Sequence, residues 1–279
     1  MKKTVKKLLA VLLAVSFIFS MSTIAFAFDQ DALYYEGYEK YYKSFPDVAK
    51  NAWYYEAVSY CSALYITGYK NGYFGPADNL QRQDFAVMLL RFDEVEDWED
   101  TAEYFSDPKN FADEYLDAVG EEFVPLSDIP AGQYYSGAVN ACYAWGYVTG
   151  YQNGKFGVGD KITREQVVTM LFRYNWGTEE EFWNNLEYDI EEDADEINEI
   201  IDSVLGEFPD AGKVSSWAKT PMVWAVANGI ITGKNGKIAP QDNITRAEVA
   251  TILTRMDLEY YEWSIVKCLE TGNGNLQED

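Results

Sequence analysis

The chain reads as an all-α protein built from three tandem helix–loop–helix repeats with acidic helical inserts between them. Three observations predict this. An arginine that opens a helix recurs at Arg82, Arg164 and Arg246, 82 residues apart each time, and self-similarity at a fixed period marks tandem structural units. A second arginine closes each of those helices on the same period, at Arg91, Arg173 and Arg255. Between them, apolar residues fall at offsets 0, 1, 3, 4 and 7 in every copy: Phe85, Ala86, Met88, Leu89 and Phe92; Val167, Val168, Met170, Leu171 and Tyr174; Val249, Ala250, Ile252, Leu253 and Met256. Those offsets define one buried helical face.

Each repeat opens with an acidic signature: Phe45-Pro46-Asp47, Leu126-Ser127-Asp128 and Phe208-Pro209-Asp210. Aromatic residues follow at Trp53, Tyr134-Tyr135 and Trp217. A first helix comes next, with Ala57, Val58, Cys61 and Leu64 on one side in the first copy. Gly146 and Gly229 are suited to end it in copies two and three as left-handed caps, whereas Leu64 stands there in copy one, so that helix end is expected to differ. A glycine-rich loop then carries Asn-Gly in every copy, a tight-turn signal. The second helix starts at Thr163-Arg164-Glu165-Gln166 and Thr245-Arg246-Ala247-Glu248, the pattern of a capping box. Copy one reads Gln81-Arg82-Gln83-Asp84 and lacks the threonine, so Arg82 is expected to be less well held.

The repeats therefore span residues 45–92, 126–174 and 208–256, and the inserts 93–125 and 175–207. Each insert holds 13 Asp or Glu, against one Lys in the first and no basic residue in the second. The second reads as one amphipathic helix with Phe182, Leu186, Ile190, Ile197, Ile201 and Val204 inward; the first is broken at Pro108. A solvated acidic face is the preferred reading over calcium binding, since Asp193-Ala194-Asp195 lacks the glycine and the closing glutamate of an EF-hand loop. No metal site is expected.

Residues 1–27 read as a secretory signal peptide: four lysines, an apolar run from Leu8 to Phe19, and Ala25-Phe26-Ala27 at the cleavage point. No other stretch is apolar enough to span a membrane. The formal charge of −24 includes those four lysines, so the remainder carries −28. Such a surface disfavours nucleic acid and anionic lipid. Residues 28–44 are tyrosine-rich, with Tyr34, Tyr38, Tyr41 and Tyr42 on one helix face, and 257–279 form a C-terminal tail, frayed over 271–279. Three cysteines make no disulfide framework. Cys61 and Cys142 read as buried core residues, and Cys268 in the tail has no assigned role. The chain has no histidine, which excludes histidine-based triads and histidine-ligated zinc. It also lacks a nucleophile elbow and a phosphate-binding loop. A non-enzyme without cofactor is expected.

The ordered set Phe208-Pro209-Asp210, Trp217, Ala227-Asn228-Gly229-Ile230, Gly233, Asn243-Ile244-Thr245-Arg246-Ala247-Glu248 and Ile252-Leu253-Thr254-Arg255, echoed in the other two copies, resembles the S-layer homology (SLH) domain. The resemblance implies a pseudo-threefold helical domain that anchors exported proteins to a bacterial envelope. It implies as ligand a secondary cell-wall polysaccharide with acidic, often pyruvylated, sugars, held in grooves between adjacent repeats. Peptidoglycan-linked glycan is the neighbouring possibility, and a Gram-positive cell wall or surface layer the expected location. By this resemblance the site residues are Arg82, Arg164 and Arg246; Asp47, Asp128 and Asp210; Trp53, Tyr135 and Trp217; and Gly68, Gly150 and Gly233.

Physical chemistry supports that assignment and leaves alternatives open. The first-turn arginines sit where backbone N–H groups and the positive helix end favour an anion, and a guanidinium grips a carboxylate in a forked geometry. Alternatively they pair with a protein carboxylate. The opening aspartates either accept sugar hydroxyls or cap the first helix. Each tryptophan either stacks on a pyranose or packs in the core. The helix-closing arginines are expected to complement the helix dipole or pair internally rather than touch ligand. Three weak sites on a repeating polymer give avidity. Because charge is screened over about 8 Å at physiological salt, the inserts are expected to project away from the grooves. The competing function is a structural or assembly protein whose inserts bind protein partners.

Overall fold

The computed structural model describes residues 42–93 and 97–257. The signal sequence, most of the tyrosine-rich segment, Cys268 and nearly all of the tail lie outside the described residues. Repeat one contributes α1 (Tyr55–Ala63) and α2 (Arg82–Asp93). Insert one holds α3 (Trp98–Tyr104), a 3-10 turn at Pro108–Asn110, and α4 (Ala112–Val119). Repeat two contributes α5 (Ser136–Ala144) and α6 (Arg164–Trp176). Insert two holds α7 (Glu179–Asn185) and α8 (Ala194–Leu205). Repeat three contributes α9 (Lys219–Ala227) and α10 at 246–257. The described residues contain helices and isolated bridges but no strand, in keeping with the all-α class.

The second helices start where the capping chemistry directs. Thr163 accepts the Gln166 N–H while the Gln166 side chain accepts the Thr163 N–H, a complete capping box. Thr245 and Glu248 make the same reciprocal pair. The stripe residues at the first four offsets are at most 3% exposed in all three helices. In copy one Tyr65 takes the left-handed conformation at φ 58°, the place held by Gly146 and Gly229 at φ 77° and 67°. The helix end is therefore the same in all three copies. The tyrosine adopts a backbone that costs about 1–2 kcal/mol, with its carbonyl held by Arg91 at 3.0 Å.

The repeats close on themselves. The residues before each second helix donate in a cycle: Leu80 N–H to Ile244 O (2.9 Å), Ile244 N–H to Ile162 O (3.1 Å), and Ile162 N–H to Leu80 O (3.1 Å). These three residues are at most 1% exposed. Each second helix packs on the first helix of the next repeat: α2 on α5, α6 on α9, and α10 on α1 through Thr254 and Cys61. This cyclic pairing is the contact a threefold arrangement requires, and one continuous apolar core fills it. Cys61 and Cys142 are free thiols within that core. Burial pushes the Cys61 thiol up to about 12.

The inserts are docked onto the repeats. Insert one lays α3 on α5, where a side chain at Gly137 would meet the Ala102 carbonyl at 1.9 Å. Glycine is what lets the two helices touch. Phe105, Phe111, Phe123 and Tyr143 form a chain of ring contacts, tilted between the first two and edge-to-face along the rest. Insert two differs from the single helix expected. Glu187 at φ 62° separates α7 from α8, so Leu186 and Ile190 turn outward while Phe182, Ile197, Ile201 and Val204 remain buried.

Candidate functional site

The opening aspartates do not cap the first helices, whose N-caps are Tyr54, Tyr135 and Ala218. Asp47 accepts the N–H groups of Phe74 and Gly75 at 2.9 and 2.7 Å. Asp128 accepts those of Phe156, Gly157 and Val158 at 2.6, 2.8 and 3.0 Å. Asp210 accepts those of Ile238 and Ala239 at 3.0 and 2.8 Å. Each carboxylate thus fixes the end of the glycine-rich loop about 28 residues further along its own repeat. Burial raises the Asp128 pKa, but the three N–H groups outweigh it and hold the group below its usual value.

The site glycines shape the same loop. A Cβ on Gly68 would meet the Tyr73 carbonyl at 2.2 Å, and one on Gly150 would meet the Leu126 side chain at 2.4 Å. Gly233 sits at φ +87° with the Lys237 carbonyl 3.1 Å from where its Cβ would be. In copy three, Asn235 and Gly236 both take positive φ, which makes a two-residue turn closed by Lys234 and Lys237.

Into each loop reaches the first-turn arginine of the preceding repeat. Arg82 donates from Nε to Phe156 O (2.8 Å) and from a terminal nitrogen to Thr149 O (3.1 Å). Arg246 makes the same bonds to Phe74 O (2.8 Å) and Thr67 O (3.0 Å). Arg164 donates from Nε to Ile238 O at 3.0 Å, and its terminal nitrogen lies 3.7 Å from Glu248. Arg82 also lies over Tyr151 and Phe156, and Arg246 over Tyr69 and Phe74, at 4.8–5.0 Å. All three are at most 6% exposed. Arg82 is therefore held as firmly as the others, because neighbouring loop carbonyls rather than the missing threonine fix it. The helix starts are not free for an anion either. The N–H groups of Arg82, Arg164 and Arg246 donate to Asp160, Asp242 and Asp78 carbonyls.

The helix-closing arginines complete the site, a role the sequence reading did not assign them. Arg173 is close enough to Arg82 for like-charge repulsion, added to burial, to pull the Arg82 pKa down. Burial and Arg164 act likewise on Arg255, and burial and Arg246 on Arg91. Each groove between repeats thus brings together two cations, one from either end of two different helices. On one helix these residues are nine apart, about 13 Å along the axis at ~1.5 Å per residue. The ring, not the helix, makes them neighbours. Arg173 and Arg255 donate to the loop threonines Thr149 and Thr232 at 3.2 Å.

Of the sequence-selected aromatics, Trp53 and Trp217 are 67% and 46% exposed. Tyr135 is turned into the core at 9%, and Tyr134 stands out at 68%. Tyr134 is therefore the exposed counterpart of Trp53 in repeat two, and it donates its hydroxyl to Asp84 on α2. Trp53 of repeat one, Arg164 of repeat two, and Gly233, Lys234, Glu248 and Arg255 of repeat three line an open cavity of about 340 Å³.

The inserts do not stand clear of the grooves. Trp98 of α3 lies over the Arg91 guanidinium at 4.1 Å, while the Arg91 Nε is buried without an acceptor. Glu99 favours the charged form of Arg91, and Glu179 of α7 that of Arg173. Docking of α3 against α5, and the short span from α6 to α7, put these residues beside the arginines. Among the described residues there is no group of three or more metal-ligating side chains, and no helix long and apolar enough to cross a membrane.

The fold defines a cyclic three-repeat helical module. A profile of the S-layer homology domain matches the chain three times, at residues 44–86, 125–168 and 207–250, and the chain belongs to this family as a protein of three S-layer homology repeats. These are anchoring modules, and they associate the chain with the cell surface or cell wall. It is 26% identical over 217 residues to an amylopullulanase of Thermoanaerobacterium thermosulfurigenes, covering 77% of this chain and 9% of that protein. It is 28% identical over 218 residues to an endoglucanase of Bacillus sp. (strain KSM-635), covering 76% and 18%. It is 27% identical over 205 residues to the surface-layer 125 kDa protein of Lysinibacillus sphaericus, covering 72% and 14%. The chain spans less than a fifth of the length of these relatives.

Proposed function

We propose that the protein anchors non-covalently to the cell wall, without catalysis, by binding acidic, pyruvylated sugars of a secondary cell-wall polysaccharide in the grooves between its repeats. The observation that carries this reading is the pair of arginines in every groove: Arg82 and Arg173 both donate to Thr149, Arg164 and Arg255 line one cavity, and Arg246 and Arg91 donate to Thr67 and Tyr65 of one loop. A guanidinium held beside a second one is raised in free energy, and an anion at the pair relieves it. A sugar carboxylate supplies that anion in charge-assisted geometry, and the exposed Trp53, Tyr134 and Trp217 offer ring faces to a pyranose. Occupying several grooves along one polymer would add avidity. The three relatives support a surface role, one being named a surface-layer protein and two being named enzymes that match over a small part of their length.

The test is co-sedimentation of the exported protein with purified cell-wall sacculi, before and after the secondary polysaccharide is stripped. Binding that requires the polysaccharide, and falls in Arg173→Ala and Arg255→Ala, is the expected result. Binding that survives stripping would redirect the reading to peptidoglycan. A second reading, surface assembly through insert one, is favoured by Leu116, Val119 and Val124, which are 42%, 52% and 68% exposed. Its check is self-association in sedimentation velocity with no wall polymer present.

A further inference from the structure

The three grooves share a plan but not their contents, and the differences run in one direction. In the Arg246–Arg91 groove, the indole of Trp98 already covers the Arg91 guanidinium, Glu99 adjoins it, and the Tyr134 hydroxyl is committed to Asp84. In the Arg82–Arg173 groove, Glu179 adjoins Arg173 and is fixed there by the Thr220 hydroxyl at 2.8 Å. In both, the first-turn arginine spends Nε and a terminal nitrogen on loop carbonyls and lies over a tyrosine, Tyr151 or Tyr69. The remaining groove departs at two linked positions. Lys234 stands where the other loops have Tyr69 and Tyr151, and Glu248 stands where the other helices have Asp84 and Gln166. Lys234 is 49% exposed and pairs with Glu248 at 3.1 Å, and Arg164 lies 3.7 Å from the same carboxylate. Trp53 projects at the rim of the cavity these residues line.

We propose that the groove of Arg164, Lys234, Glu248 and Trp53 is the principal site for the acidic sugar, with Lys234 its selectivity residue, and that insert one holds the Arg246–Arg91 groove partly closed. This rests on the polysaccharide reading above. Glu248 acts as a resident anion: with no ligand it neutralises Lys234 and part of Arg164. An incoming sugar carboxylate takes Lys234 over, and Glu248 keeps its bonds to the Thr245 N–H and hydroxyl. The lysine is mobile enough to make that exchange, being a compact charge on a flexible stem. In the other grooves a tyrosine over the arginine has no charge to hand over, and in the Arg246–Arg91 groove Trp98 also covers the closing arginine.

The experiment is isothermal titration of the exported protein with short fragments of pyruvylated secondary polysaccharide and with the same fragments after depyruvylation. The expected result is one dominant site per chain. Lys234→Tyr, which copies the residue of the other two loops and so preserves the fold, weakens that site at least tenfold for the pyruvylated fragment and less than twofold for the depyruvylated one. Trp53→Ala weakens it for both. The double variant Trp98→Ala/Glu99→Gln raises the stoichiometry towards two. Three equal sites in the wild type, or Lys234→Tyr within twofold of wild type on the pyruvylated fragment, or an unchanged stoichiometry in the double variant, would overturn the inference while leaving the anchor reading intact. No heat from any fragment, with the fold verified by circular dichroism, overturns both.

Discussion

Two sets of three arginines lie nine residues apart on the same three helices and do opposite work. Arg82, Arg164 and Arg246 are at most 6% exposed and reach across the repeat boundary to carbonyls of the neighbouring loop. They join the ring. Arg173 and Arg255 touch a loop threonine on the groove wall and keep part of their surface towards solvent. The residue that looks most like a ligand contact by position also ties neighbouring repeats together, and the one that looks like a helix-dipole partner keeps the more exposed surface. A repeated charge can thus be repeated because the architecture repeats, and its exposure, not its period, tells which.

The sharpest way to break this comparison is Arg82→Ala. The substitution orphans the Phe156 and Thr149 carbonyls. With bonds to charged donors contributing about 1.5–3 kcal/mol each, the loss of stability is expected to be roughly 3 kcal/mol or more in denaturant unfolding. A midpoint equal to wild type would mean the ring does not depend on it. Any loss of wall binding in this variant then reports unfolding as much as the site, so the helix-closing arginines are the better probes of function.

Next in size is Asp128→Ala, which leaves three N–H groups of one loop without their acceptor. About 2–3 kcal/mol is expected, since an unsatisfied buried donor costs roughly 1–3 kcal/mol and part of this loop reaches water. The pH dependence has a definite sign. A carboxylate whose folded pKa is depressed contributes stability that is present above the unfolded value, near ~3.9, and is lost as pH falls through the lower folded value. Acid unfolding of the wild type should therefore steepen below about pH 4, and the alanine variant should show a flatter profile there. Equal slopes would remove Asp128 from the acid transition.

Much of the fold was legible because it is local. Thr163 with Gln166, the Asn-Gly turns and the buried stripes are patterns within a few residues, and each appears where the sequence puts it. The site was legible only in outline. Asp128 looked like a cap because capping is the local role of aspartate, whereas its partners lie about 28 residues away. The convergence of Arg91 with Arg246 spans more than 150 residues and follows from cyclic closure, which periodicity alone does not order. The choice between Tyr134 and Tyr135 turns on which adjacent ring faces the core, and the two differ by one residue in a stretch without helical phase. The one available signal for the helix-closing arginines was their period of 82, equal to that of the first-turn set.

A smaller effect separates wall from ring. Arg173→Ala removes a half-buried charge with a bond to the Thr149 hydroxyl. Its stability change is expected to stay within about 1 kcal/mol, the range of partly exposed ionic contacts. Glycan binding in the groove it shares with Arg82 should fall about tenfold, the equivalent of ~1.4 kcal/mol. If stability falls as far as in Arg82→Ala, the two sets of arginines are not distinct in kind.

The smallest expected effect is the most selective. Tyr134→Trp gives repeat two the residue that repeats one and three carry at Trp53 and Trp217. It deletes the hydroxyl bond to Asp84, an exposed contact of about 0.5–1 kcal/mol, and enlarges the ring face available to a sugar. If the aromatic alone limited the Arg246–Arg91 groove, wall binding should rise. The expected outcome is a fall in stability of no more than about 1 kcal/mol with no gain in binding. Asp84, once released, would face the incoming anion as a free carboxylate, and Trp98 would still cover Arg91. Co-sedimentation of Tyr134→Trp with and without Trp98→Ala separates the two limits. A gain in the single variant would put the restriction in the aromatic, whereas a gain only in the double variant would put it in the insert that lies across the arginine.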